Sequence, residues 1–352
     1  MKKVIFALAA VVALAACSNE EVLVEQPREA IGFDNAFIEN TVRSIDPSIT
    51  TGTLESFTVY GTTQGNEKNA NDEVIAPVVN IYNGVEVVKG AEDGIGNGWK
   101  YASQYVQYWI NGNTYNFAAV VNGTVKTDDA TGMPETISYT ASENDDTDIL
   151  YAVNNFGTYT KQDGTNPEVG FTFNHLLSKV KFTVNNTMTT NTAENIYQYT
   201  VENVKIDGAY AKGVYTVSTG LWDGDETDNE VEFGNVSDAT EDANSHDAVK
   251  IGVVGAVDSA TSDVERILIP GTFDAIITAT ITTWLNNQKV DVTDYVKTVQ
   301  LTLAKGNAYN LVLNLGNPGD EIMFTCTEVD GWGNGNTADD ATDNDSNSTT
   351  LK

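Results

Sequence analysis

The stretch Phe171-Thr172-Phe173-Asn174-His175-Leu176-Leu177-Ser178-Lys179-Val180-Lys181-Phe182-Thr183-Val184 decides how the chain is read. Its second half puts Val180, Phe182 and Val184 on one face and Lys179, Lys181 and Thr183 on the other. That period of two is what a strand with one face in a core and one in water requires. Before the stretch lies a half rich in Gly, Asn and aromatic residues, and after it a second run of short alternating segments. The stretch therefore reads as the crossing point between two β-sandwich domains, residues 51–170 and 171–335.

Working outward, residues 54–61 have the β-branched and aromatic content of a strand. Residues 77–82 and 85–88 flank Asn83-Gly84, a strong signal for a two-residue hairpin turn. The aromatic run Trp99, Tyr101, Tyr105, Tyr108 and Trp109 ends at Asn111-Gly112-Asn113, and residues 114–121 return as a second hairpin. Such aromatics beside tight turns read as core and cross-strand packing, with a sugar-stacking platform as the alternative. Residues 140–147 read as an acidic loop, and 149–152 as a strand. In the second half, residues 197–201, 204–206, 213–217, 249–254, 266–270, 275–284, 295–303, 309–315 and 321–326 read as strands. Many short strands, Gly/Asn/Asp turns and almost no helical period give an all-β fold class. Residues 336–352 form an acidic tail of Asn, Asp, Ser, Thr and Ala with no large apolar residue before Leu351, expected to be disordered.

Nineteen Lys and Arg against fifty Asp and Glu give a net charge of −31. That excludes nucleic acid and anionic bilayer surfaces as partners, because phosphate contacts need clustered cations. Fifteen Tyr, twelve Phe and five Trp are too many for a disordered acidic chain.

At the N-terminus, Lys2 and Lys3 precede a short apolar run, residues 4–16, which reads as a secretory signal peptide rather than a membrane span. Leu14-Ala15-Ala16-Cys17 has the form of a lipobox, with cleavage between Ala16 and Cys17 and lipid on Cys17. Residues 17–50 then form a lipidated N-terminal segment, and Ser18-Asn19-Glu20-Glu21 has the form of a surface-export signal or of a plain acidic tether. Within this segment Ile31, Phe33 and Phe37 share one parity in a strand that ends near Val42 and Arg43, before the turn-prone Ser44-Ile45-Asp46-Pro47. Cys326, the second cysteine, reads as a small buried apolar residue, so no internal disulfide is expected.

No site for catalysis or metal is legible. His175 and His246 stand in unlike contexts without zinc-ligand spacing, and His175 reads as a hydrogen-bonded structural histidine. Residues 223–230 concentrate carboxylates but lack the glycine and the closing acid of an EF-hand loop, so they read as a solvated acidic loop, with calcium as the alternative. No phosphate-binding loop or nucleophile elbow occurs, and no cofactor is implied.

The pattern Phe-x-His-x-Leu-Ser-Lys-Val with its following strand resembles the fimbrillin family, the type V pilus subunits and related Mfa-like surface lipoproteins of Bacteroidales-type bacteria. Companion motifs lie in the family's order: Trp99, Tyr108-Trp109, Tyr115-Asn116-Phe117-Ala118, Asp148-Ile149-Leu150-Tyr151-Ala152, Leu268-Ile269-Pro270, Lys305-Gly306-Asn307-Ala308-Tyr309 and Val329-Asp330-Gly331-Trp332. The resemblance implies two tandem transthyretin-like, Greek-key sandwiches and no enzyme activity. Asp258-Ser259-Ala260 resembles the short O-glycosylation motif of these bacteria. The fimbrillin resemblance further implies that an Arg-specific protease cuts between Arg43 and Ser44, with Arg28 a lesser site. The cut removes the strand carrying Ile31, Phe33, Phe37 and Val42, and a strand from the next subunit fills the groove. The candidate donor residues are Ile322, Phe324 and Cys326, unless the subunit sits at a tip and donates nothing. The alternative to removal is a permanent first strand. Expected partners are other fimbrial subunits, the outer membrane through the lipid anchor, and host or bacterial surface ligands. The competing function is a non-polymerising surface lipoprotein that binds glycan or a host ligand.

Overall fold

The computed structural model describes residues 29–38, 54–141, 147–162, 167–225, 229–237, 248, 250–252, 259–262 and 265–329. Among them, twenty-one strands and one 3-10 turn (Ser103–Tyr105) make the molecule all-β, as the alternating pattern required.

The first sheet runs β1 (Gly32–Ile38), β4 (Trp99–Lys100), β3 (Val78–Lys89), β2 (Ser56–Gln64), β5 (Thr114–Val121), β8 (Leu150–Thr158) and β9 (Glu168–His175). It closes into a barrel where β9 meets β1. The second sheet orders β15 (Val236–Ser237), β16 (Ser259–Ser262), β10 (Ser178–Asn186), β20 (Ala308–Leu315) and β21 (Met323–Val329), with β17 (Arg266–Leu268) also on β10. The third orders β14 (Asn229–Gly234), β11 (Tyr197–Ala209), β18 (Gly271–Leu285) and β19 (Gln288–Leu303). The fourth orders β13 (Leu221–Asp225), β12 (Lys212–Thr216), β7 (Pro134–Thr140) and β6 (Thr124–Thr127).

Three apolar cores follow from this arrangement. The barrel interior is filled by Phe33, Phe57, Tyr82, Phe117, Phe171 and Phe173 among others. The second and third sheets face each other across Val180, Phe182, Val184, Val201, Ile277 and Leu311, which is sandwich packing. A third core joins the outer wall of the barrel (Tyr60, Val120, Ile149) to Leu176, Leu177 and the fourth sheet (Ile137, Tyr139, Tyr215). β5 sits between two of them: Phe117 and Ala119 point into the barrel while Val120 points into the third core. A strand covered on both faces reads as a continuous apolar run, which residues 117–121 are.

The decisive stretch splits between sheets, with β9 in the barrel and β10 central in the second sheet. The expected wet face of β10 is only partly wet, because the strand has neighbours on both sides: Lys181 is half-buried while two other residues of that face are buried. Lys179 is buried and ion-paired with Glu265, and Thr183 is buried and donates to Asn310 Oδ1 at 2.8 Å.

Two hairpins expected from the sequence do not form. Asn83-Gly84 lies inside the single strand β3, where Val59 pairs with Val85 and Tyr60 with Asn83, leaving Gly84 as an extra residue at φ +73°. A left-handed glycine serves a bulge as well as a turn, and pairing with β2 on both sides selects the bulge. Residues 99–109 do not pair with β5, which instead lies between β2 and β8. A two-residue hairpin does form at Asn286-Asn287, both at positive φ, between β18 and β19.

Candidate functional site

Residues 29–38 lie in a groove with two polar banks. On one bank β1 runs parallel to β9, with Gly32 opposite Glu168 and Phe33 opposite Val169. The register then shifts by a bulge, so that Ala36 pairs with Phe171, Phe37 with Thr172 and Ile38 with Phe173. On the other bank Phe33 pairs antiparallel with Trp99 and Ala30 with Tyr108. There the Ile31 N–H donates to the Gln107 carbonyl and the Trp109 N–H to the Glu29 carbonyl, both at 2.9 Å.

The groove floor is aromatic. Phe33 is fully buried, and the rings of Phe57, Tyr82, Tyr101, Phe117 and Phe171 surround it at centroid distances of 5.6 to 6.3 Å. Tyr82 donates its hydroxyl to Tyr101 at 3.0 Å, and Tyr101 donates onward to the Ile31 carbonyl at 2.7 Å. Burial pushes both hydroxyls upward in pKa, so they stay protonated donors. At the strand's entry Tyr159 donates to Glu29 Oε2 at 2.7 Å; burial first, and then Glu29, push that hydroxyl up to about 12. Trp109 stacks on Tyr159.

Ile31 and Phe33 are buried as their parity predicts, but the bulge brings Ala36 inward as the next buried position. The alternation expected to carry Phe37 with Ile31 and Phe33 is therefore broken between Phe33 and Ala36; the Phe37 side chain lies outside the described residues. So do Ala16, Cys17, Arg28, Val42, Arg43, Ser44, His246, Asp258 and residues 330–352.

Glu168 sits across the β1–β9 seam, and its carboxyl is raised above the usual range by burial and then by the like charge of Asp34 on β1. Asn97 Nδ2, which donates to Glu168 Oε1 at 2.7 Å, pulls the other way.

The candidate donor residues lie elsewhere, Phe324 and Cys326 on β21 at the edge of the second sheet and Ile322 just before it. β21 pairs antiparallel with β20, Phe324 opposite Leu313 and Cys326 opposite Leu311. Phe324 is buried, whereas Ile322 and Cys326 are half-buried against the sandwich core, so Cys326 is less enclosed than expected.

The remaining candidates resolve simply. Trp99, Tyr101 and Trp109 are buried, which makes them core, while Tyr105 and Tyr108 are 46% and 40% exposed. His175 is buried and its Nδ1 bonds Asp148 Oδ2, tying the strand end to the preceding loop. Burial raises the Asp148 carboxyl and His175 draws it back down. Asp223 and Asp225 lie in β13 opposite Val214 and Lys212, and among the described residues no three His, Cys, Asp or Glu gather as metal ligands.

Sequence reasoning missed Tyr101, Glu168 and Phe171 as walls of the groove. Their partners lie about 70 to 135 positions away in the chain, and parallel pairing over that separation leaves no local pattern.

A family model described as Fimbrillin-like matches residues 43–332. No curated protein matches the chain. Among solved structures, a fimbrial protein from Bacteroides vulgatus is 14% identical, covers 86% of this chain and 99% of its own, and superposes with a TM-score of 0.59, the same fold. A candidate cell adhesion protein from Bacteroides ovatus is 16% identical with coverage of 87% and 99% and a TM-score of 0.44. A fimbrial assembly protein from Parabacteroides distasonis is 13% identical with coverage of 78% and 87% and a TM-score of 0.35.

Proposed function

We propose, from the premise that this chain belongs to the fimbrillin-like family, that it is a structural or adhesive subunit of a cell-surface fimbria, exported as a lipoprotein and assembled by strand replacement. The observation that carries this reading is the seating of residues 29–38: a segment near the N-terminus closes the barrel and fills its aromatic floor. Cys17 would tether the precursor to the outer membrane. Cleavage between Arg43 and Ser44 would detach residues 29–38 from the rest of the chain. A vacated groove would hold an exposed aromatic floor, a Tyr101 hydroxyl without its acceptor, and two unpaired backbone banks. Main-chain pairing plus one large apolar side chain at the Phe33 position is what such a groove recognises.

The donor strand proposed from the sequence has the matching pattern. Ile322-Met323-Phe324 repeats the Ile-x-Phe spacing of Ile31-Gly32-Phe33, whose two large residues are fully buried in the barrel. Met323 at the Gly32 position is tolerable, because a Cβ there meets only the flexible Glu168 side chain at 3.4 Å. Donation would require β21 to leave the edge of its own second sheet, where β20 is its one neighbour among the described residues.

Treating the purified precursor with an Arg-specific protease tests the reading. A new N-terminus at Ser44, loss of residues 29–38 and the appearance of polymer are expected. A chain that stays intact at Arg43, or one that is cut yet remains monomeric and keeps the segment bound, removes the stalk-subunit role.

A further inference from the structure

A cleft lies where the barrel wall meets the rest of the molecule. β8 and β9 pair only at Leu150–His175 and Tyr151–Asn174 and then separate. Tyr151, Thr172 and Asn174 line one side of the opening; Tyr215 and the turn carrying Lys305 and Asn307 line the other. The cleft is open to solvent and its volume is about 570 Å³, the size of a small-ligand site. Four separate parts of the chain build it, so it exists only in the folded molecule.

Its chemistry is mixed in a specific way. Lys305 donates to the Tyr215 hydroxyl at 2.8 Å and lies 4.8 Å over that ring, which holds the ammonium in place. It pairs with no carboxylate among the described residues, although acids outnumber bases 50 to 19 in the chain. Around it stand two amides and a threonine hydroxyl. The Tyr151 hydroxyl, pushed up to about 12 by burial and then by Tyr215, adds a neutral donor. Val153 and Leu176 supply apolar wall.

We propose that this cleft binds a saccharide unit bearing one carboxylate, of the uronic acid type, with Lys305 on the carboxylate and Asn174, Asn307, Thr172 and Tyr151 on the ring hydroxyls. Four neutral polar groups around one cation match several hydroxyls and a single charge. A sulfated or phosphorylated polyanion is opposed by the field of a chain at −31. A peptide C-terminus is opposed by the turn itself: the Gly306 N–H already donates to the Leu177 carbonyl at 2.8 Å and the Asn307 N–H to the Ala304 carbonyl at 3.4 Å, so no free backbone nest is offered. The inference rests on the junction alone and is independent of strand release.

Calorimetric titration of the uncleaved chain with methyl β-D-glucuronide, methyl β-D-glucoside and a short peptide with a free carboxyl terminus tests it. The glucuronide should bind about tenfold more tightly than the glucoside, and Lys305→Met should erase that difference. Asn174→Leu, on an exposed position that should not disturb folding, should weaken the glucuronide by about tenfold with an unchanged melting temperature. This second variant carries the test if Lys305→Met unfolds. Equal affinity for the two sugars, tighter binding of the peptide, no saturable binding of glucuronide, or full affinity in either folded variant overturns the proposal. A chain that fails to be cut at Arg43 leaves it standing.

Discussion

Phe33 touches five aromatic rings and has no exposed surface, so its removal leaves a void that rigid neighbours cannot fill. Phe33→Ala is expected to destabilise the barrel by about 3–5 kcal/mol, read as a lowered urea midpoint with an unchanged slope. A loss below about 1 kcal/mol would mean that the groove relaxes without its occupant. The role of Phe33 was legible, because Ile31 and Phe33 share a parity that a strand must bury. That of Ala36 was not, because a bulge depends on the partner strand and leaves no mark in an alternating pattern. Tyr101 illustrates the same limit: the sequence places an aromatic there, but only the fold aims its hydroxyl at the Ile31 carbonyl.

At the scale of elements, β1 is held by pairing on both banks, and its Asp34 faces Glu168 across the seam. Glu168 has a raised folded pKa, so the stability linked to it is fully present below the ordinary carboxylate range, near about pH 4, and is lost as pH rises through the raised value. Glu168→Gln removes the charge and keeps the shape. Amide exchange of residues 32–38 at neutral pH should therefore be slower in the variant, and the difference should vanish near about pH 4. Identical exchange at neutral pH would show that the carboxylate does not weaken docking. β3 shows how an element can be misread: Asn83-Gly84 satisfies hairpin chemistry, yet a long strand that must curve around a barrel uses the same left-handed glycine to bend.

For the whole molecule, the fourth sheet is the unexpected component. β7 comes from the first half of the chain and pairs with β12 from the second, and between them they bury Ile137, Tyr139 and Tyr215 against the barrel wall. The proposed boundary near residue 170 thus has a shared core across it. Residues 29–177 produced alone, which keep all of β9, should expose Tyr60, Ile137, Tyr139 and Ile149, bind a hydrophobic dye and self-associate, where the uncleaved full chain is expected to do neither. A monomeric fragment that binds no dye would show that the first half is self-sufficient. Residues 124–127, 134–140 and 221–225 were not singled out as strands, since they are short, Thr- and Asp-rich and half-covered, and gain their order from one another.

The sequence by itself determined the all-β class, the family, the crossing at residues 171–184 and the existence of an apolar strand at residues 31–37. Each of these is written in composition, in ordered motifs or in a period of two, which act over a few neighbours. Only the tertiary structure decided that β1 runs parallel to β9, that β3 is one bent strand, that a fourth sheet joins the halves and that Lys305 stands in a cleft away from any described carboxylate. Those outcomes are choices among partners far apart in the chain. They are settled by which closure buries the most apolar surface with the fewest unpaired backbone groups, a quantity no short window of sequence contains.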